Sequence, residues 1–150
     1  KTLLCKYTGC AQDDVLSKEI LFPFIRYVTY TDFKATVAAA VANLEMEGMG
    51  HSVVIHSNNT EHIEAVPTVV NVSRYAVNQV GGTALGGAMD NGLNPTTTLG
   101  CGTWGGNIVS ENICLKHYMN TTWVARPLPE DMPSNEELFG EFNKPDMDVE

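Results

Sequence analysis

Basic residues are scarce in this chain: nine Lys and Arg stand against 18 Asp and Glu among 150 residues. None of the nine cluster, and phosphate recognition needs clustered cations, so nucleic acid is not an expected partner. Long apolar runs are also missing. None approaches the roughly 20 residues that cross a bilayer, so no membrane segment is expected. KTLLCKYTGC at the start has a lysine but too short an apolar stretch for a secretion signal. Lys1 stands where an initiator methionine would, inside what reads as a strand, and a segment of a longer protein is expected. Cysteines are few. Cys5, Cys10, Cys101 and Cys114 form no C-x-x-C and no zinc spacing. Cys114 and His117 lie three apart, but two ligands make no site, so no metal is expected. Reduced thiols and a cytoplasmic setting follow, and the sequons at Asn58, Asn71 and Asn120 then read as chance matches.

What is present is a globular composition, 43% hydrophobic and 18% charged. The charge is uneven. Residues 130–150 hold eight acids and one lysine, and the rest holds ten acids and eight bases, so 129–150 reads as a solvated acidic tail.

Strands are expected at Thr2–Tyr7 and Phe24–Tyr30, with a turn at Gly9 and Asp13-Asp14 between them. Phe33, Val37, Val41 and Leu44 then recur at helical spacing. Thr31 or Asp32 is the expected N-cap and Gly48 the stop. Ser52–His56 reads as a buried strand. Asn58 with Glu61 predicts a capped short helix through Val66, limited by Pro67, and Val69–Asn78 reads as the next strand. Strand, helix, strand, helix, strand with short joints predicts a parallel βαβαβ core and an α/β fold. Beyond Asn78, nine of the 13 glycines fall between Gly81 and Gly106, without a sustained period. A short helix is expected within Glu111–Asn120, a strand at Thr121–Arg126 ended by Pro127, and a helical turn around Glu136–Phe142.

Gly100-Cys-Gly102-Thr-Trp-Gly105 fits G-x-G-x-x-G, the pattern of dinucleotide-binding loops. Its setting does not fit. That fingerprint opens a long helix within a βαβ unit, whereas Asn107-Ile-Val-Ser-Glu-Asn starts no amphipathic helix. Two readings remain from the residues alone: glycines packing backbone closely around Trp104, or a flexible loop lining a pocket.

Four ordered stretches carry a resemblance: SKEILFP (17–23), GMGHS (48–52), SRYAVN (73–78) and PTTTLGCGTWGGNIVSENI (95–113) followed by KHYMN. Together they resemble CoA-acylating aldehyde dehydrogenases of the succinate-semialdehyde and sulfoacetaldehyde type, and the aldehyde half of aldehyde–alcohol dehydrogenases. The resemblance implies the C-terminal half of an aldehyde-dehydrogenase-like catalytic domain. It assigns 1–120 to that partial domain, 121–128 to a closing oligomerisation strand and hence a homo-oligomer, and 129–150 to a tail. It also implies small aldehydes and coenzyme A as substrates and NAD or NADP as cofactor. The family's nucleophilic cysteine precedes the matched region, so none of the four cysteines is nominated and the chain alone is expected to be inert. Glu19 matches the glutamate beside the nicotinamide ribose and Leu21 the apolar residue near the ring. His51 matches a histidine able to take the CoA thiol proton. Gly100, Cys101, Gly102 and Trp104 would line the acyl or pantetheine channel. Phe22, Ile108 and Cys114 depart from the usual pattern. Outside an enzyme, the alternatives are a non-catalytic module for subunit assembly and a binder of CoA or nucleotide.

Overall fold

A computed structural model describes residues 1–7, 15–129 and 131–142. The turn expected at Gly9 and Asp13-Asp14 lies outside them. The chain divides into two units, Lys1–Met119 and Asn120–Glu150.

The first unit is α/β, and its strands pair in two separate parallel couples rather than in one continuous sheet. β1 (Leu3–Lys6) runs beside β2 (Phe24–Tyr27), with Leu3 opposite Phe24. β3 (Gly50–Ile55) runs beside β4 (Val72–Val77), with Gly50 opposite Val72. Between β2 and β3 lies α1 (Phe33–Asn43), prolonged by a π-wound turn from Leu44 to Gly48. Between β3 and β4 lies α2 (Thr60–Ala65), so β3–α2–β4 is a parallel crossover unit.

Helix starts follow local chemistry. Asp32 Oδ1 accepts the Ala35 N–H at 2.8 Å, satisfying one of the orphan donors of α1. At α2 the cap is Asn59, one residue after the expected Asn58. Its Oδ1 accepts from Glu61 at 2.9 Å and His62 at 3.4 Å, while Ser57 Oγ accepts the Asn59 N–H.

The stripe of α1 packs where its spacing points. Leu44, Val66 and Val70 form a buried nucleus, with Phe33, Val37, Val41, Val53, Ile55 and Tyr75 against it. Each such side chain contributes about 1.5–3 kcal/mol when fully withdrawn from water. Tyr75 Oη donates to the Ile63 carbonyl at 2.9 Å, tying β4 to α2, and burial pushes its phenol above the ordinary range. The β1–β2 couple is barer, with Leu3, Leu4 and Ile25 all exposed.

α3 is one short turn, Gly81–Ala84. The helix expected within Glu111–Asn120 is reduced to a 3-10 turn at Leu115–Tyr118. In the second unit Thr121–Arg126 forms no strand, because no partner segment runs beside it among the described residues; Trp123 is 90% exposed. α4 (Asn135–Phe139) is held by a capping box between Ser134 and Glu137, and those bonds keep the Glu137 carboxyl below the usual carboxylate range.

Candidate active site

β3 begins at Gly50, and its start is a close backbone contact. Gly50 has φ +79°, and a Cβ there would stand 2.0 Å from the Cys101 carbonyl oxygen and 2.9 Å from the Gly105 nitrogen. Only glycine satisfies both demands. The start of β3 and the glycine loop are thus pressed together, backbone on backbone.

The loop is a tight hairpin. Gly100 N–H donates to Glu111 O and Gly102 N–H to Val109 O, at 3.1 and 2.9 Å, next to an antiparallel bridge between Leu99 and Asn112. A Cβ on Gly100 would lie 2.3 Å from the Val109 oxygen. Cys101 N–H donates to Asn107 Oδ1, and the Gly105, Gly106 and Asn107 amides bond within the loop. A phosphate cradle requires free amides converging on one point. These amides are already bonded to the protein, and the turn that follows Gly102 is a single 3-10 turn, Thr103–Gly105. At Gly50 and Gly100 the missing side chains admit backbone rather than leaving space. Trp104 is 49% exposed at the hairpin tip, and Cys101 is 6% exposed beneath it.

Arg74 joins these pieces. It is 4% exposed on β4. Its Nη1 donates to Gly100 O (2.8 Å), its Nη2 to His51 O (3.2 Å) and its Nε to Ser52 Oγ (3.1 Å). Burial lowers the guanidinium's pKa, and the adjacent Cys101 thiol opposes that shift. The planar fork suits two carbonyls and a hydroxyl held at fixed spacing. Period-2 alternation along β4 puts Arg74 on the same buried face as Ala76, which is the signal in the sequence that marks it.

Glu19 and His51, far apart in sequence, line one cavity of about 360 Å³ together with Ser17, Lys18, Asn43, Glu47 and Gly48. His51 is exposed toward it, and the sulfur of Cys101 stands 3.4 Å from Nδ1 and 3.7 Å from Nε2 of the ring. Leu21, by contrast, is 91% exposed and does not line this cavity. Gly100 lines a separate hollow with Leu99, Gly106, Asn107, Ile108 and Val109.

Below the hairpin, Glu111 accepts from Lys116 at 2.7 Å and from His117 Nε2 at 3.0 Å. Cys114 N–H donates to His117 Nδ1 at 2.9 Å, so that nitrogen is occupied by the chain itself. Among the described residues no group of three or more metal-ligating side chains gathers. The Lys116 bond, then the His117 bond, hold the Glu111 carboxyl below the usual carboxylate range. A folded-state value below the unfolded one stabilises above about pH 4, and that contribution is lost as pH falls through the lowered value. Glu111→Gln is expected to flatten the acid limb of the stability curve, read as urea midpoints between about pH 5 and pH 2.

No family profile matches the chain. Similar whole proteins do exist. A succinate-semialdehyde dehydrogenase (acetylating) of Clostridium kluyveri is 43% identical over 141 residues, covering 93% of this chain and 31% of that protein. A sulfoacetaldehyde dehydrogenase of Acholeplasma is 40% identical, covering 95% and 29%. Among solved structures, an acetylating aldehyde dehydrogenase from Geobacillus thermoglucosidasius superposes with a TM-score of 0.73 at 30% identity, over 87% of this chain and 29% of that one. A probable aldehyde dehydrogenase from Listeria monocytogenes gives 0.76 at 30% identity, over 91% and 29%. The chain spans about three-tenths of the length of these relatives. In sequence and in fold it is similar to one part of the acylating aldehyde dehydrogenases.

Proposed function

We propose that this chain supplies the C-terminal part of the catalytic domain of an NAD(P)-dependent, CoA-acylating aldehyde dehydrogenase. The reaction is aldehyde + CoA thiol + NAD(P)⁺ giving acyl-CoA + NAD(P)H + H⁺. The observation that carries this reading is the shared cavity of Glu19 and His51, two residues 32 positions apart that the resemblance marks independently.

The cavity's chemistry fits a nicotinamide nucleotide at one end. Glu19 is an exposed carboxylate, acceptor-only when ionised, and a ribose diol offers two donors. When bound, the nicotinamide ring would accept hydride from the aldehyde carbon. His51 stands on the other wall. A ring nitrogen of the imidazole can accept the proton from the CoA thiol and release it to solvent. Cys101 packs behind that ring and Arg74 fixes the backbone carbonyl of His51, so the imidazole is presented from a rigid strand end. The thiolate that attacks the aldehyde is assigned to sequence upstream of the matched region.

The second unit fits a role in assembly. Residues 121–126 form no strand and have no partner strand among the described residues, and Trp123 and Val124 are exposed, as a segment that waits for a neighbouring subunit's sheet would be. A homo-oligomer in a cytoplasmic setting completes the proposal.

Expressing this chain joined to its upstream half tests the reading through CoA-dependent aldehyde oxidation. Turnover is expected from the combination and from neither half alone; turnover by this chain alone would refute the assigned division of labour. In the combination, His51→Ala is expected to lower the CoA-dependent rate by about 10²-fold, the lower range for loss of an acid–base group.

A further inference from the structure

The wall that presents Glu19 is built by two side chains with no part in the chemistry above. Glu47 is the penultimate residue of the π-wound extension of α1, and its Oε2 accepts the backbone N–H of Glu19 at 2.5 Å. Among the described residues Glu47 has no ion-pair partner, so its carboxylate is committed to that amide. Arg26, from β2, secures the same wall from behind. Its Nη1 donates to Ser17 Oγ at 2.5 Å and its Nη2 to Asn43 Oδ1 at 2.7 Å. Ser17 is buried and stands two residues before Glu19, while Asn43 is the last residue of α1. The segment 17–19 is therefore tied at its start to Arg26 and at its end to Glu47, both ties leading to one helical run. π-wound turns of this kind gather at functional sites. Here the winding closes α1 beside the cavity, with Glu47 within reach of the Glu19 amide.

We propose that Glu47 is the positioning residue for Glu19: its carboxylate caps the Glu19 amide and thereby sets where the Glu19 side chain enters the cavity. The bond holds the backbone at the exposed end of the segment, which Arg26 secures only through Ser17. The role needs an acceptor oxygen at that place and does not need a negative charge. Glutamine supplies the oxygen, whereas alanine does not.

Amide hydrogen exchange on the 150-residue chain separates these cases. Glu47→Ala is expected to speed exchange of the Glu19 amide by about tenfold and to move its proton resonance upfield. Glu47→Gln is expected to hold both close to wild type. The Ala35 amide, bonded to Asp32, should not change in either variant and reports that the fold is intact. Equal Glu19 exchange in wild type and Glu47→Ala would overturn the proposal, as would Glu47→Gln behaving like Glu47→Ala. The consequence for catalysis rests on Glu19 being the nucleotide-side carboxylate. In the joined enzyme Glu47→Ala should raise the KM for the nucleotide severalfold with kcat nearly unchanged, and Glu47→Gln should restore it. If exchange behaves as expected but Glu19→Gln leaves that KM untouched, the enzymatic reading of Glu19 fails while the positioning by Glu47 stands.

Discussion

Replacing Gly50 by alanine is expected to cost the first unit about 2–5 kcal/mol. Two effects add. A side chain at φ +79° pays the left-handed penalty of about 1–2 kcal/mol. The new Cβ would also stand 2.0 Å from the Cys101 carbonyl oxygen, and the obstacle is backbone rather than a flexible side-chain tip. Forcing atoms into a filled site costs about 1–3 kcal/mol where the surroundings shift only slightly. Here the hairpin 99–112 must retreat from β3 as a body, because its own amides are bonded across it. The urea midpoint should fall by about 1–3 M. An unchanged midpoint would mean that the hairpin does not press on β3. A Gly92→Ala comparison calibrates the first effect alone: Gly92 has φ +70° and open space around it, so it should lose only about 1–2 kcal/mol.

Arg74→Met is expected to destabilise by about 3 kcal/mol or more. The methionine keeps much of the volume but leaves the His51 and Gly100 carbonyls and the Ser52 hydroxyl without their shared donor. The buried Gly100 carbonyl so abandoned costs about 1–3 kcal/mol, and the part-buried His51 carbonyl and Ser52 hydroxyl add to it. Arg74→Lys retains the charge with a single point donor, so it should recover less than half of the loss. Thermal melts of the three proteins check the order wild type, Lys, Met. Lysine matching arginine would show that charge rather than the fork holds the two carbonyls.

How far the residues announced this arrangement differs from element to element. The stripe Phe33, Val37, Val41, Leu44 was legible because a helix face repeats every 3.6 residues, and those side chains surround the observed nucleus. The crossover β3–α2–β4 was legible from its alternation of periods. The division of the strands into two couples was not. Strands of four to six residues carry no register signal strong enough to fix their neighbours, so pairing is decided by packing. The shift of the cap from Asn58 to Asn59 has a similar origin: both residues can cap, and Ser57 Oγ settles the choice by bonding the Asn59 amide.

At the site, Glu19 and His51 could be joined only through resemblance, since no local pattern connects residues on different elements. Arg74 was hidden by habit: arginine is mostly a surface residue, and SRYAVN reads as an ordinary strand. Glu47 carries no local signal beyond its place one residue before the helix stop at Gly48. The glycine loop was ambiguous from composition, because close packing and open space both call for glycine. Hydrogen bonding across the hairpin resolves the backbone of Gly100 and Gly102 as packed, and the substrate-lining role assigned to that loop remains a proposal.

The two parallel couples have a kinetic meaning. Leu3 meets Phe24 across 21 residues and Gly50 meets Val72 across 22, so each couple closes a short loop and can form soon after its second strand leaves the ribosome. The seam between Gly50 and Cys101 has to wait for twice that length of chain. During synthesis the histidine wall of the cavity is therefore completed last, after the scaffold beneath it is already in place.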